Sequence, residues 1–127
     1  MGMEHEVRFA GSACPGWPAV RDLLAGHGFP VQLRMIDGEL AFPDEMPREA
    51  CRELRLGTPQ GMVTVRRATD HVAVVTWGNA DALLRQAWNA VAWAYAEAGA
   101  GQVITPAGPV AAADFRRTAD LPAALYG

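Results

Sequence analysis

Residues 80–98 read ADALLRQAWNAVAWAYAEA, and this stretch constrains the fold more than any other. Leu84, Trp88, Val91 and Tyr95 recur at i, i+4, i+7 and i+11, which puts them on one side of an α-helix. Asn79 stands where a side chain can accept a backbone hydrogen bond at the helix start, and Gly99 and Gly101 follow its end. A helix with one broad apolar stripe needs a surface to cover, and the rest of the chain supplies strands. The spacing therefore predicts a helix over 80–98 lying across a sheet.

The strand signals precede it. Glu4 to Ala10 alternates charged and apolar residues, as a half-buried strand does. Pro18 to His27 reads as a helix with Val20, Leu23 and Leu24 on one side. Val31 to Ile36 and Glu39 to Phe42 flank Asp37-Gly38, a pair suited to the positive φ angles of a tight hairpin turn. Pro47 to Leu56 reads as a short helix, with Pro47 at its first position and Ala50, Cys51 and Leu54 as its apolar side. Gly61 to Arg66 and His71 to Trp77 read as a second hairpin. The latter strand is apolar on both faces and so belongs in the interior of its sheet. Gln102 to Thr105 reads as a last short strand, and 111–119 as a weak helix in a Pro/Ala-rich tail over 106–127.

This order predicts one α+β domain over residues 1–127. Its architecture is a two-layer sandwich: a mixed, mainly antiparallel sheet of 4–6 strands with helices on one face. The alternative is a thioredoxin-like βαβ-ββα arrangement. Half of the 127 residues are apolar, enough for a core without disulfides or metal. No apolar run approaches the ~20 residues of a membrane helix, and MGMEHEVRF has no signal-like apolar stretch, so a soluble, cytoplasmic protein is expected. A net charge of -3 disfavours nucleic acid as a partner. All basic residues are Arg, which excludes a phosphate-loop lysine.

The run GSACPGWPAV, between strand and helix, raises the sharpest chemical question. A cysteine at a helix N-terminus gains thiolate character from the unpaired N–H groups and the helix dipole. The segment from Val7 through Asp37, with Cys14-Pro15-Gly16-Trp17 in it, resembles the first strand-helix-strand of a glutaredoxin or other thioredoxin-like protein. There a Cys-Pro-x-Cys motif opens the helix. The resemblance implies a monothiol role for Cys14, since Trp17 stands at the second cysteine's position and any dithiol step needs Cys51 or an outside thiol. It also likens Pro59 to the proline that faces the thiol in that fold. Pro18 argues the other way. Proline fits the first helical position better than the fourth, so the helix starts near Pro18 and leaves Cys14 a turn ahead of the dipole.

Other constellations are thin. Cys51 reads as core, being a cysteine on an apolar helix side. His5, His27 and His71 have no metal-ligand spacing, so no metal and no cofactor are expected. Asp37, Glu39, Asp44 and Glu45 flank turns and read as solvated. His71 and Asp70 are adjacent, and strand alternation would point them apart. Ser12, the only serine, lacks a nucleophile elbow.

Trp93 is the oddity. At ~100° per residue it lies opposite Leu84, among Gln86, Asn89 and Glu97. It needs a cover: either the tail, through Phe115, Leu121, Leu125 and Tyr126, or another molecule. The expected function is accordingly non-catalytic protein–protein association, with Trp93, Trp17 and Cys14 as contact residues. The partner is a second copy of the chain or another protein of a regulatory, immunity-type or accessory complex. The alternatives are the Cys14 monothiol protein and a small-ligand domain with a pocket between sheet and helices lined by Met35, Met62 and aromatics.

Overall fold

A computed structural model describes residues 2–9, 14–42, 44–47, 51–68 and 70–126 of the chain. Eight strands form one sheet: β1 (Gly2–Arg8), β2 (Gln32–Ile36), β3 (Glu39–Leu40), β4 (Glu53–Thr58), β5 (Gly61–Arg67), β6 (His71–Trp77), β7 (Gln102–Thr105) and β8 (Gly108–Ala111). They run in the order β3-β2-β4-β5-β6-β1-β7-β8. The helices are α1 (Trp17–Gly26), α2 (Ala82–Ala98) and α3 (Ala112–Thr118), with a 3-10 turn over Ala123–Tyr126.

Every ladder among the described residues is antiparallel. The sheet is therefore antiparallel rather than mixed, and two further expectations are corrected. The sheet has eight strands rather than 4–6, and the thioredoxin-like alternative fails. That arrangement would make the strands before and after α1 parallel neighbours. Here β4, β5 and β6 separate β1 from β2, and β1 pairs antiparallel with β6 and β7. β6 lies inside the sheet, where a strand apolar on both faces belongs.

Strand register explains the core. Leu33 pairs with Leu56, Leu56 with Val63, Leu54 with Val65, Val65 with Val74, and Val72 with Val7, which also pairs with Val103. Paired residues project to the same side of a sheet, so these side chains form a band across six strands, and all are fully buried. Each contributes about 1.5–3 kcal/mol by leaving water. Helix α2 packs against β1, β5, β6 and β7 and touches α1 and α3.

Enclosed by these elements, α2 is buried nearly all round in its second half, from Ala90 to Ala96, rather than on one stripe. Alanine at 90, 92, 94 and 96 lets its neighbours approach closely. Its cap is Asp81, not Asn79: the Asp81 carboxylate accepts from the Leu84 N–H at 2.8 Å. The segment read as a short helix over 47–56 is instead irregular at Cys51-Arg52 and strand β4 from Glu53, while residues 48–50 lie outside the described ones.

Two local features position the candidate residues. Asp37 (φ 50°) and Gly38 (φ 85°) make the predicted tight turn between β2 and β3. Asp37 Oδ1 then accepts from the Arg52 and Glu53 N–H groups at 2.8 and 2.9 Å, tying the turn to the start of β4. Helix α1 carries its proline in the first turn, with Trp17 as its first residue, so Cys14 lies three residues ahead of it.

Candidate functional site

The expected contact residues are not on the surface. Trp17 and Trp93 are each 2 % exposed. Trp17 faces inward from the first turn of α1 into the core. Helix α3 of the tail packs on α2, and Phe115, Leu121 and Leu125 are buried in the same apolar core as Trp93. The His27 ring meets it edge-on with centroids 5.4 Å apart, and the Arg116 guanidinium lies 5.6 Å from its ring centre. Neither indole offers a face to a partner in this structure. The apolar surface is elsewhere.

That surface lies at the β3 edge of the sheet. Leu40 is 88 % exposed, Phe42 74 % and Met46 62 %. Strand β3 pairs only with β2, so its outer backbone groups have no strand beside them among the described residues. The loop that follows is held by a short turn, in which the Glu45 N–H donates to the Phe42 carbonyl at 3.0 Å. Glu39, Asp44 and Glu45 are exposed around the apolar residues. Ile36, Asp37, Glu39, Leu40, Glu45, Met46 and Cys51 line a shallow cleft of about 340 Å³ at the same place. The result is an apolar patch with an acidic rim on an open strand edge. Sequence periodicity did not single it out because Phe42 and Met46 lie in the irregular chain after β3, where apolar residues carry no repeat.

The two cysteines, 37 positions apart, lie ahead of α1 and β4 respectively. Cys51, buried just ahead of β4, accepts a hydrogen bond from Arg67 Nη1 at 3.0 Å. The half-buried Cys14 thiol donates to the Pro15 carbonyl at 3.4 Å. The Arg67 N–H also donates to the Arg52 carbonyl at 2.6 Å, which fixes the end of β5 beside Cys51. Burial pushes the Cys14 thiol above its ordinary value, and Arg67 recovers only part of that shift. Cys14 is thus less acidic than a free thiol, contrary to the helix-dipole expectation, because it lies ahead of α1 and is desolvated. The Tyr95 phenol, in the second half of α2, is fully buried. Burial pushes it far above its ordinary value, so it stays a neutral O–H donor. Its hydroxyl has no hydrogen-bond partner among the described residues.

A third locus is the sheet face opposite the buried band. Glu4, Glu53, Arg55, Met62, Thr64, Arg66, Val75 and Trp77 border a groove of about 410 Å³. Trp77 is 60 % exposed. Arg66 pairs with Glu53 at 3.5 Å, while Arg55 Nε is buried with no partner among the described residues. Met35 pairs in register with Arg55, so both methionines lie toward this open face. The expected pocket between sheet and helices is not where they are.

No family model, no curated protein and no solved structure matches the chain. These three places are therefore what bears on its function. Among the described residues no three His, Cys, Asp or Glu side chains are grouped to hold a metal ion, and no helix is long and apolar enough to cross a membrane. The remaining sequence candidates resolve simply. Asp70 does bond to His71, at 2.9 Å between Oδ1 and Nδ1, because Asp70 belongs to the bend before β6 and escapes strand alternation. The contact is exposed, and the His71 ring holds the carboxyl below the usual range.

Proposed function

We propose that the chain works by protein–protein association through its β3 edge, with Leu40, Phe42 and Met46 as the contact. The observation that carries this reading is the exposure of three large apolar side chains on one strand edge and its loop. Such patches are sites of protein contact more often than chance surface. The open edge adds unpaired backbone groups to which a partner's extended segment can add a strand.

The acidic rim selects the partner. A symmetric dimer would set Glu39, Asp44 and Glu45 of each copy against the same residues of the other, since a two-fold interface is isologous. Like charges facing one another disfavour that pairing. A different protein offering an apolar segment flanked by Arg or Lys fits both features. A buried aromatic anchor is worth at least about 2 kcal/mol in such an interface. Crosslinked capture with the purified chain, followed by reconstitution with the purified captured protein, tests this. Phe42→Ala is expected to weaken the reconstituted complex by about tenfold or more. A complex as tight with Leu40→Ala/Phe42→Ala as with the parent chain overturns the reading.

The groove beside Trp77 supports a second reading, as a site for a small anionic ligand. Its specific support is the unpartnered Arg55 Nε next to an exposed indole. A thermal-shift series with small aromatic carboxylates is its test: stabilisation abolished by Arg55→Met supports it, and none with any of them removes it.

A further inference from the structure

Strands β5, β6 and β1 lie side by side, and α2 packs on all three. Their buried valines belong to the core that α2 shares. The residues that alternate with those valines point to the opposite side of the sheet. Strand register sets them in rows across that open face. Val75 of β6 pairs with Thr64 of β5 on one side and Glu4 of β1 on the other, and Ala73 pairs in the same way with Arg66 and Glu6. Trp77, two residues beyond Val75 and 60 % exposed, continues the apolar seam of β6.

Each row therefore runs from a hydrogen-bond donor on β5, through an apolar residue on β6, to a carboxylate on β1. That order is self-complementary. A two-fold axis lying in the face along β6 exchanges the β5 and β1 sides and keeps the height along the strands. It sets Arg66 of one copy over Glu6 of the second and the Thr64 hydroxyl over Glu4, and it makes both contacts twice. Ala73, Val75 and Trp77 then meet their own counterparts at the axis. The other axis in the face, running across the strands along the Val75 row, sets Glu4 on Glu4 and Arg55, the β4 partner of Thr64, on Arg55. Like charges exclude it.

Facing sheets pack about 10 Å apart with their strands within about 30° of one another, so arginine and glutamate side chains span the gap. Within one chain Glu6 is paired with Arg8, and Arg66 with Glu53 at 3.5 Å. These solvent-accessible pairs are worth at most about 1 kcal/mol each, too little to hold either group away from a second partner.

We propose that a second copy of the chain docks on this open face, with β6 along the two-fold axis and Arg66 paired to Glu6 across it. The inference is independent of the β3-edge reading, and it puts a protein surface where the small-ligand reading puts an anion.

Sedimentation of the full chain from about 1 μM to about 1 mM, a range suited to a small interface, tests it. A monomer–dimer equilibrium that weakens as salt rises is expected. Glu6→Arg alone and Arg66→Glu alone each set like charges together at both contacts and should weaken the dimer by about tenfold or more. An equal mixture of these two variants restores opposite charges at both contacts and should dimerise as the parent does. Trp77→Ala should also weaken the dimer, and Leu40→Ala/Phe42→Ala should leave it unchanged. Circular dichroism checks the fold of every variant. Four outcomes overturn the proposal: a parent chain that stays monomeric, which leaves the groove to a small ligand; a dimer unmoved by both charge variants; a mixture no tighter than its components; or a dimer lost with Leu40→Ala/Phe42→Ala, which places self-association at the β3 edge.

Discussion

The His5 ring lies flat against the Trp88 indole, with centroids 3.6 Å apart and planes 14° from parallel. His5 comes from the first strand of the chain and Trp88 from the middle of α2, so the stack joins the sheet to its main helix. The hydrogen bonds around it fix the tautomer. Asn89 Nδ2 donates to the Asp120 carbonyl at 2.9 Å, which leaves Oδ1 to accept from His5 Nε2–H at 2.7 Å. Trp88 Nε1 donates to the Val74 carbonyl at 2.7 Å, and Val74 is the β6 residue opposite His5.

This arrangement predicts a pH dependence. Burial holds the His5 pKa below its ordinary 6.5, and the Asn89 bond offsets only part of that shift. Between the lowered folded value and 6.5 the unfolded chain binds the extra proton, so stability rises with pH across that window. The His5 contribution is therefore intact above 6.5 and is lost as pH falls from there through the folded value. Urea midpoints measured down a pH series should drop through this window for the parent chain and run flatter for His5→Phe, which keeps an aromatic ring on Trp88. Parallel pH profiles for the two chains would show that His5 is not the group responsible.

Two leucines separate packing from contact. Leu125, in the tail, is fully buried in the same apolar core as Trp93, and Leu40 is the most exposed large apolar residue described. Leu125→Ala should cost about 2–5 kcal/mol and shift the Trp fluorescence as the tail loosens. Leu40→Ala should stay within about 0.5 kcal/mol of the parent. A large loss of stability from Leu40→Ala would mean that the β3 edge is structural, and it would weaken the association reading.

Much of this was legible in the residues. Asp37-Gly38 demanded a turn with positive φ, and Pro18 fixed the start of α1. Trp93 on a polar helix side called for a cover, and it is buried with α3 packed on its helix and Arg116 over its ring. β4 was missed for a physical reason. Cys51 and Leu54 are spaced for a helix while Leu54 and Leu56 alternate for a strand, and a run this short satisfies both periods. Only its two ladders, to β2 and β5, decide the matter. The bond from Arg67 to Cys51 was not legible either, since it depends on which strands become neighbours.

Asp37 carries more than the turn residue's share. Its side chain accepts from two N–H groups at the start of β4, and its own N–H donates to the Glu53 carbonyl at 2.8 Å. Asp37→Ala removes the acceptor from both donors and places at φ 50° a residue that adopts αL at greater cost than aspartate does. The expected loss is about 2–3 kcal/mol by thermal or urea unfolding. Asp37→Asn, which keeps an acceptor oxygen and tolerates positive φ, should recover most of it. Equal losses for the two variants would assign the role to charge rather than to the hydrogen bonds.

Gly101 marks the closest approach of α2's exit to the sheet. A Cβ there would come within 2.5 Å of the Arg8 carbonyl oxygen and 2.7 Å of the Phe9 ring. The first obstacle is backbone in β1, which pairs on both sides and cannot swing away. Its neighbour Phe9 is itself buried and held by a 2.9 Å bond from its N–H to the Asp70 carbonyl. Gly101→Ala must therefore displace β1 or lift β7 off it, at a cost of about 1–3 kcal/mol or more. Amide exchange should show the damage first in the β1–β7 ladder, between Glu6–Arg8 and Gln102–Ile104. Uniform loss of protection across the sheet would instead place the strain in the core as a whole.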